Sequence, residues 1–510
     1  MMRWQNPIIF SDFSDPDIIK VEDDFYMVAS SFTYLPGIPL LHSKDLIHWR
    51  RINYCVRSLP FKCYNQPNHG AGTWAPAIRY HKGWFYVFVP LPDEGIFVTK
   101  TQDPYGEWSP LHCLKSTKGW IDPCPFWDED GKAYMIHAFA KSRCGIKHRL
   151  AICQMNEEAT ELLDEGKIVY DGEQRNPTIE GPKLYKRNGY YYIFAPAGGV
   201  ETGWQVVLRS KKLYGPYEEK VVLHQGETQV NGPHQGGYVE LTEDECYFVH
   251  FQDANYYGRI VHLQPMSWYN DWPFIGQELN GDGIGEPVVE WERTNTLLQE
   301  TPYNLIKSDT FNQTSLGLQW QWQANPNEKW YSLTERPNYL RLYAMPNKAG
   351  RENLLWYAPH LLTQMIEGPD FEVEVEIDIS GLLVGDRMGI GLLGHQYKAL
   401  TLVRKTDGLK LELLEGNVLE TSKEGLVAEE KTCIGILEDT TLYFKILFKQ
   451  GLYQFTYWAQ NTMPQKTDYF KATKGTWVGA KLMLFCSNDN NETSSGYCDF
   501  ASFKWQSHSI

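Results

Sequence analysis

Short, largely apolar runs follow one another along the chain. The runs are rich in Tyr, Phe, Val and Ile, and turn-forming residues separate them about every ten positions. No segment shows the 3.6-residue apolar period of an amphipathic helix of three or more turns. The pattern therefore predicts an all-β protein.

A longer repeat of five units is superimposed on these strands. Each unit has enough strand for one four-stranded sheet, and the units open at positions spaced by 59, 48, 58 and 54 residues. The opening residues are Asp15, Trp74, Asp122, Glu180 and His234. This spacing predicts a five-bladed β-propeller. Because the innermost strand of each blade starts beside the central channel, we expect the five side chains to converge.

The repeat fades after about residue 295, so we expect the propeller to occupy residues 1–295. The polar, turn-rich segment 296–308 is typical of a linker. Strictly alternating runs such as FEVEVEIDI and LYFKILFK follow in residues 309–510 and predict an accessory β-sandwich of jelly-roll, concanavalin-like type.

Charge and cysteine content exclude several classes of protein. The net charge of −15 and the lack of a Lys/Arg cluster argue against a nucleic-acid partner. No stretch approaches the roughly 18 apolar residues of a membrane span, and no signal peptide opens the chain, so a cytoplasmic location is expected. The ten cysteines show no CxxC pair or zinc spacing, and we expect reduced core residues.

Three of the blade-opening residues are acids in apolar, proline-containing surroundings: FSDPDII, WIDPCPF and TIEGPKLY. A single carboxylate is usually a solvated surface group. Three that converge on one channel are expensive to desolvate unless they are paired or used. Two carboxylates are also the minimum for hydrolysis of a glycosidic bond. The 18 Trp and 31 Tyr suit sugar stacking, although all-β proteins favour these residues anyway.

Ordered motifs from residue 6 to about residue 290 resemble glycoside hydrolase family 43. They include DPD, VEDDFYMVASSF, GTWAP, IDP, IEGPKLYKRNGYYY, HQGG and GRIVHLQPMSW. The resemblance implies a five-bladed propeller that inverts the anomeric centre, as in the family's β-xylosidases, α-L-arabinofuranosidases and arabinanases.

By position, the resemblance implies that Asp15 is the general base and Glu180 the general acid. Asp122 would position the acid and modulate its pKa. Inversion predicts a base-to-acid separation of about 6.5–9.5 Å, which leaves room for a water. Asp17 is a second carboxylate in the same DPD motif, but the alignment through VEDDFY favours Asp15.

The resemblance also implies a sugar-binding role for Arg259, Phe32, Trp74 and His234. Arg259 could instead form a surface ion pair, and the two aromatic residues could pack in the propeller core. In some family members the histidine approaches a calcium ion through water, so calcium near His234 is allowed, whereas no cofactor is required and no metal ligand is assigned. The chain has WAPA where many family β-xylosidases have WAPH.

We expect an exo-acting enzyme that releases a terminal β-D-xylose or α-L-arabinofuranose from plant hemicellulose or pectin oligosaccharides. The long carboxyl-terminal region favours exo action over that of an arabinanase of the same family. A non-catalytic carbohydrate-binding propeller or lectin is the alternative from another class, but it would not need all three acids. The NDPNG-type motif of related β-fructosidases is replaced by SDPDII. The sequence leaves open the preferred pentose, the oligomeric state and whether the sandwich binds sugar.

Overall fold

A computed structural model describes residues 2–243, 245–293, 301–346, 354–419, 426–490 and 494–508. The described residues are nearly all strand and turn. Helical structure within them is limited to α1 (Lys141–Cys144) and to short 3₁₀ turns at Lys62–Asn65, Asn255–Tyr257, Glu328–Trp330 and Leu355–Tyr357. None of these described helices is long and apolar enough to cross a membrane.

After β1 (Met2–Gln5), twenty strands form five consecutive four-stranded antiparallel blades. Blade 1 consists of β2 (Asp17–Val21), β3 (Asp24–Val28), β4 (Gly37–Ser43) and β5 (Arg50–Val56). Blade 2 consists of β6 (Ala77–His81), β7 (Trp84–Leu91), β8 (Gly95–Thr101) and β9 (His112–Ser116). Blade 3 consists of β10 (Trp120–Trp127), β11 (Ala133–Phe139), β12 (Arg149–Met155) and β13 (Lys167–Asp171).

Blade 4 consists of β14 (Lys183–Arg187), β15 (Tyr190–Ala197), β16 (Trp204–Ser210) and β17 (Glu218–Leu223). Blade 5 consists of β18 (His234–Thr242), β19 (Glu245–Asp253), β20 (Arg259–Tyr269) and β21 (Trp272–Ile275). Apolar clusters fill the spaces between neighbouring blades, which explains why the middle strands are buried on both faces. The five-bladed propeller predicted from the repeat is confirmed.

The two ends of the propeller sequence are joined by β1 and β22 (Glu290–Arg293), which form a two-stranded antiparallel sheet with Trp4 opposite Trp291. The side-chain amide of Asn6 donates to the carbonyl oxygens of Leu263 at 2.8 Å and Val288 at 2.9 Å. These contacts attach the amino-terminal segment to the last blade.

The sandwich contains two sheets of antiparallel strands, apart from one short parallel pairing. Its strands are β23 (Gln321–Trp322), β24 (Tyr331–Ser332), β25 (Leu340–Tyr343), β26 (Met345–Pro346), β27 (Leu362–Met365), β28 (Asp370–Asp378), β29 (Asp386–Leu393), β30 (Gln396–Lys405), β31 (Gly408–Leu419), β32 (Leu426–Leu437), β33 (Thr441–Lys449), β34 (Leu452–Ala459), β35 (Gln465–Lys471), β36 (Lys481–Asn488) and β37 (Tyr497–His508). One sheet has the order β23-β27-β36-β29-β30-β31-β32, with β26 pairing beside β36, and the other has β24-β25-β37-β28-β33-β34-β35.

Alternating side chains of the two sheets meet in one large apolar core. Trp320, Trp322 and Trp330 are buried in this core, so they form no exposed sugar-binding face. The predicted boundary at residue 295 and residues 296–300 of the predicted linker lie outside the described residues.

A buried polar contact joins the sandwich to the propeller. The carboxylate of Asp12 accepts hydrogen bonds from the backbone N–H groups of Gly479 at 2.9 Å and Arg259 at 3.0 Å. The ammonium of Lys481, in β36, lies 3.3 Å from the same carboxylate, and both side chains are buried. Leu35 and Trp322 also exchange backbone hydrogen bonds across the interface. The sandwich is thus fixed against blade 1, next to the mouth of the central channel.

Candidate active site

A pocket of about 240 Å³ opens at the channel end where the inner strands begin. It is lined by Asp15, Phe32, Trp74, Ala75, Ile121, Asp122, Thr178, Glu180, Gly199, Val200, Gln235, Arg259 and Trp477. Four of the five blade-opening residues line this pocket, and the fifth, His234, contacts Glu180 from behind. The expected convergence of these side chains is therefore observed.

Asp15 lies two residues before β2 and points into the pocket. Its backbone has a left-handed φ of 54°, which non-glycine residues adopt rarely and which is found at turns and at functional sites. The hydroxyl groups of Ser14 and Ser30 both donate to Oδ2, and Nη1 of Arg259 lies 3.4 Å from Oδ1. Three donors from three segments hold a buried, hydrogen-bonded carboxylate in one orientation.

Asp17, the other acid of the same motif, belongs to the framework. It is fully buried and accepts hydrogen bonds from Nη1 of Arg79 at 2.7 Å and from the backbone N–H of Ile78 at 2.8 Å. These bonds join β2 of blade 1 to β6 of blade 2. The choice of Asp15 over Asp17 as the pocket carboxylate agrees with this arrangement.

Asp122 lies in β10 at a break in the strand register between Ile121 and Cys124, and its φ is also left-handed, at 54°. Oδ2 accepts hydrogen bonds from the backbone N–H of Gly181 at 2.7 Å and from Nε2 of Gln235 at 3.2 Å. Burial raises the pKa of Asp122 to about 6, against the opposing effect of the positive charge of Lys183.

Glu180 lies three residues before β14, and a quarter of its side chain (25%) remains open to the pocket. Burial raises the pKa of Glu180 to about 8, and the negative charges of Asp122 and Asp15 add to that increase. Near neutral pH, Glu180 therefore holds a proton that it can donate, whereas Asp122, which has the lower pKa, is ionised. Two neighbouring acids with separated pKa values are typical of an acid–base catalyst.

His234 lies behind Glu180, with Nε2 3.3 Å from Oε1 but without hydrogen-bonding geometry. Burial and the charge of Arg259 lower the pKa of His234 to about 3, so the ring is neutral. It is buried and does not line the pocket, so its effect on a sugar would pass through Glu180.

Arg259, Phe32 and Trp74 line the pocket as expected from the resemblance. Nη1 of Arg259 donates to Ser14 Oγ at 2.7 Å, and its guanidinium lies 5.9 Å from the centre of the Phe32 ring. The rings of Phe32 and Trp74 meet edge to face with centroids 6.3 Å apart. Arg259 is thus a buried pocket residue and not part of a surface ion pair.

Of the pocket residues that the sequence analysis did not name, Trp477 and Gln235 contact predicted site residues. Trp477 comes from the loop between β35 and β36 of the sandwich, and its ring lies 6.5 Å from that of Trp74. It is 48% exposed and has a left-handed φ of 64°. Gln235, next to His234, holds Asp122. Gly181 was a signal for close packing at Gln235, because a side chain at residue 181 would meet that amide, but no local signal brings residue 477 to this pocket.

The surroundings of His234 do not fit a calcium ion held directly by protein ligands. Calcium takes six to eight oxygen ligands. Within the described ranges, no group of three or more His, Cys, Asp or Glu side chains is arranged to hold a metal. The nearby guanidinium of Arg259 also repels a cation. Water-mediated calcium stays a prediction, and no catalytic step is derived through it.

Comparisons with known proteins agree with this geometry. Residues 4–273 match the family model "Glycosyl hydrolases family 43", and residues 308–506 match "Beta xylosidase C-terminal Concanavalin A-like domain". A beta-xylosidase of Formosa agariphila is 31% identical, over 97% of this chain and 88% of that protein. A non-reducing end alpha-L-arabinofuranosidase of Bacteroides ovatus is 30% identical, over 86% of this chain and 84% of that protein.

Among solved structures, a GH43 protein of Bacillus licheniformis superposes with a TM-score of 0.83 at 26% identity, over 99% of both chains. The family model covers more than half of the chain, and the pocket brings three carboxylic acids together. The chain therefore belongs to glycoside hydrolase family 43 and is a glycoside hydrolase with a carbohydrate substrate.

Proposed function

We propose that the protein is an exo-acting, inverting pentosidase that releases terminal β-D-xylose or α-L-arabinofuranose from oligosaccharides. The observation that best supports this function is the small pocket in which a protonated Glu180 shares space with Asp15. A cavity of about 240 Å³ is below the roughly 300–1,000 Å³ of pockets for drug-sized ligands, so it suits one monosaccharide ring.

In the proposed reaction, Glu180 donates its proton to the glycosidic oxygen as the bond between that oxygen and the anomeric carbon breaks. Asp15 accepts a proton from a water whose oxygen forms the new bond to the anomeric carbon on the opposite face. Asp122, held by Gly181 and Gln235, stays ionised and favours the protonated form of Glu180.

Exo action is supported by the wall that the sandwich adds to the pocket. Trp477 faces Trp74 and lies 5.6 Å from the guanidinium of Arg259. A pocket walled in this way can take a chain end, whereas an arabinanase that cleaves internal bonds needs a groove open at both ends. This contact favours exo action over the cleavage of internal bonds by an arabinanase.

The two candidate sugars come from the relatives, since one is a beta-xylosidase and another a non-reducing end alpha-L-arabinofuranosidase. Both sugars are pentoses that present similar hydroxyl groups to Arg259 and to the carboxylates. We propose that one pocket takes both sugars, from hemicellulose or pectin fragments.

The test is hydrolysis of p-nitrophenyl β-D-xylopyranoside and p-nitrophenyl α-L-arabinofuranoside by the wild type and by Asp15→Asn. Asp23→Asn carries the same change at an exposed acid and is the matched control, and Glu173→Gln is a second control at an exposed acid. Release by the wild type and the controls, with a loss of at least about 10³-fold in Asp15→Asn, is expected. NMR of the first-formed sugar should show the inverted anomer.

Lack of release from both substrates by folded wild-type protein would contradict the pentosidase function. Binding of xylo- or arabino-oligosaccharides without turnover would instead identify a carbohydrate-binding propeller.

A further inference from the structure

A guanidinium group lies across the central channel beneath the pocket. It belongs to Arg79, in β6 of blade 2, whose side chain is 13% exposed and does not line the pocket. Nη1 donates to Oδ2 of Asp17 in blade 1 at 2.7 Å, and Nη2 donates to Sγ of Cys124 in blade 3 at 3.0 Å. The guanidinium also lies 5.2 Å from the ring centre of Tyr185 in blade 4. Because blades 2 and 4 are not neighbours, Arg79 reaches Tyr185 across the channel.

The fifth blade closes the space around this guanidinium. Gly237, in β18, packs so tightly that a Cβ there would lie 2.7 Å from Oδ1 of Asp17 and 3.1 Å from the hydroxyl of Tyr185. That hydroxyl accepts a hydrogen bond from the backbone N–H of Tyr238, the next residue of the same strand. Each of the five inner strands thus contributes one residue to a channel layer, which consists of Asp17, Arg79, Cys124, Tyr185 and Gly237.

The channel layer is linked to two acids of the pocket through short stretches of chain. Asp17 follows Asp15 by two positions, and Cys124 follows Asp122 by two positions. Both pocket aspartates have a left-handed φ of 54°, which persists only where surrounding contacts hold it. Arg79 binds the residue two positions after each of them. One side chain therefore holds the chain just beyond both turns.

The charge in the channel layer is balanced by one ion pair. Asp17 is fully buried and also accepts a hydrogen bond from the backbone N–H of Ile78 at 2.8 Å. Loss of the guanidinium would leave this carboxylate buried without its cation and would open a cavity in the channel. Both changes would act on the strands that carry the acids.

We propose that Arg79 is a positioning residue that plugs the channel and holds Asp15 and Asp122 in the arrangement that hydrolysis requires. It acts on the chemical step and not on sugar binding, since none of the five residues of the channel layer lines the pocket. The inference rests on the proposed pentosidase function, because it concerns the acids of that reaction.

The first test compares the steady-state kinetics of Arg79→Ala and Arg209→Ala on an aryl pentoside. Arg209 is the matched control, because its side chain is also 13% exposed and pairs with a carboxylate, that of Glu218 at 2.6 Å. It also lies 4.2 Å from the ring centre of Trp272, but it is outside the pocket and the channel layer. We expect kcat at least about tenfold lower in Arg79→Ala with KM within about twofold of the wild type, and an unchanged kcat in Arg209→Ala.

Chemical rescue separates positioning from a general loss of stability. Millimolar guanidinium should restore part of the kcat of Arg79→Ala by refilling the channel layer, whereas urea, which has a similar shape but no charge, should not. Neither addition should change Arg209→Ala. A folded Arg79→Ala with the kcat of the wild type, or with equal responses to guanidinium and urea, would overturn the inference. Release by the wild type tests the pentosidase function separately.

Gly237→Ala provides a second variant that keeps Arg79, in case Arg79→Ala does not fold. The position is not left-handed, so the added methyl group acts through its contacts with Asp17 and Tyr185. We expect kcat about fivefold lower with KM unchanged. Gly435→Ala is the control, because a Cβ there would meet only Leu411, at 3.9 Å. An unchanged kcat in folded Gly237→Ala would overturn the inference.

Discussion

At the scale of single residues, the site is built on backbone conformations that side chains seldom adopt. Asp15, Phe32 and Asp122 all have φ between 52° and 54°. Each such position costs of order 1–3 kcal/mol, and surrounding contacts must compensate for it. The left-handed turn directs these side chains into the pocket, away from the alternating faces of an ordinary strand.

The pH dependence of activity follows from two raised pKa values. Glu180 must hold a proton, so kcat/KM should fall as the pH rises through about 8, where the carboxyl group loses it. Asp122 must be ionised, so kcat/KM should also fall as the pH drops through about 6. A pH–rate profile of the wild type on an aryl pentoside measures both limbs. A rate that stays constant from pH 7 to 10 would show that Glu180 is not the proton donor.

Replacement of the general acid should slow hydrolysis most for substrates with poor leaving groups. Glu180→Gln cannot donate a proton, so hydrolysis of xylobiose or arabinobiose should fall by about 10³-fold or more. Hydrolysis of a 2,4-dinitrophenyl pentoside should fall far less, because its leaving group needs no proton. Asp15→Asn is the matched comparison, because loss of the base should slow both kinds of substrate alike. Equal losses in Glu180→Gln on both kinds would contradict its role as acid.

The three acids were predictable because each opens a repeat unit and stands in a motif of several residues. The contacts that support these acids were not predictable from the sequence. Ser30 follows an ordinary strand, and Gln235 resembles any polar residue near a glycine pair. Only the folded positions show that these side chains meet the acids, because each contact joins segments far apart in sequence.

At the scale of elements, the loop between β35 and β36 extends the pocket. Trp477→Ala should raise KM for aryl pentosides about 5- to 30-fold, which corresponds to about 1–2 kcal/mol of lost aromatic contact. The effect on kcat should be smaller, because the reacting groups remain in place. Tyr469→Ala, an exposed aromatic in β35 that does not line the pocket, is the matched control. An unchanged KM in Trp477→Ala would show that the sugar does not reach this wall.

Alternating apolar positions predicted the sandwich strands well, since the same alternation packs the two sheets against each other. The middle strands of the blades are buried on both faces and were predicted from their apolar runs and the repeat. The break in register at Asp122 was not predictable in this way. A bulge changes which face a side chain occupies without a strong signature in the apolar pattern. The apolar pattern therefore fails to predict the structure at Asp122, where the site requires a side chain directed into the pocket.

At the scale of the whole molecule, the buried pair of Lys481 and Asp12 holds the sandwich against the propeller. Lys481→Met leaves a buried carboxylate without its cation and should lower the free energy of unfolding by about 3–5 kcal/mol. Lys504→Met removes an exposed cation paired with Glu374 and should cost about 0–1 kcal/mol. Urea unfolding of both variants measures the difference. Equal, small effects would show that the buried pair does not stabilise the interface.

The propeller and the sandwich were each predictable from their own repeat or alternation, but their mutual placement was not. Asp12 and Lys481 are 469 positions apart, and neither stands in a recognisable motif. Contacts of this kind depend on the final shapes of two separately packed bodies. The sequence therefore predicted both parts of the molecule and left the shape of the pocket open.

The origin of Trp477 in the sandwich has a consequence for how such enzymes diversify. The acids that break the bond and the wall that limits the substrate are encoded in different halves of the gene. Exchange of the second half between relatives would alter which chain ends are accepted while the catalytic groups stay untouched. Recombination at the junction of the two halves is thus a direct evolutionary and engineering route to new substrate ranges.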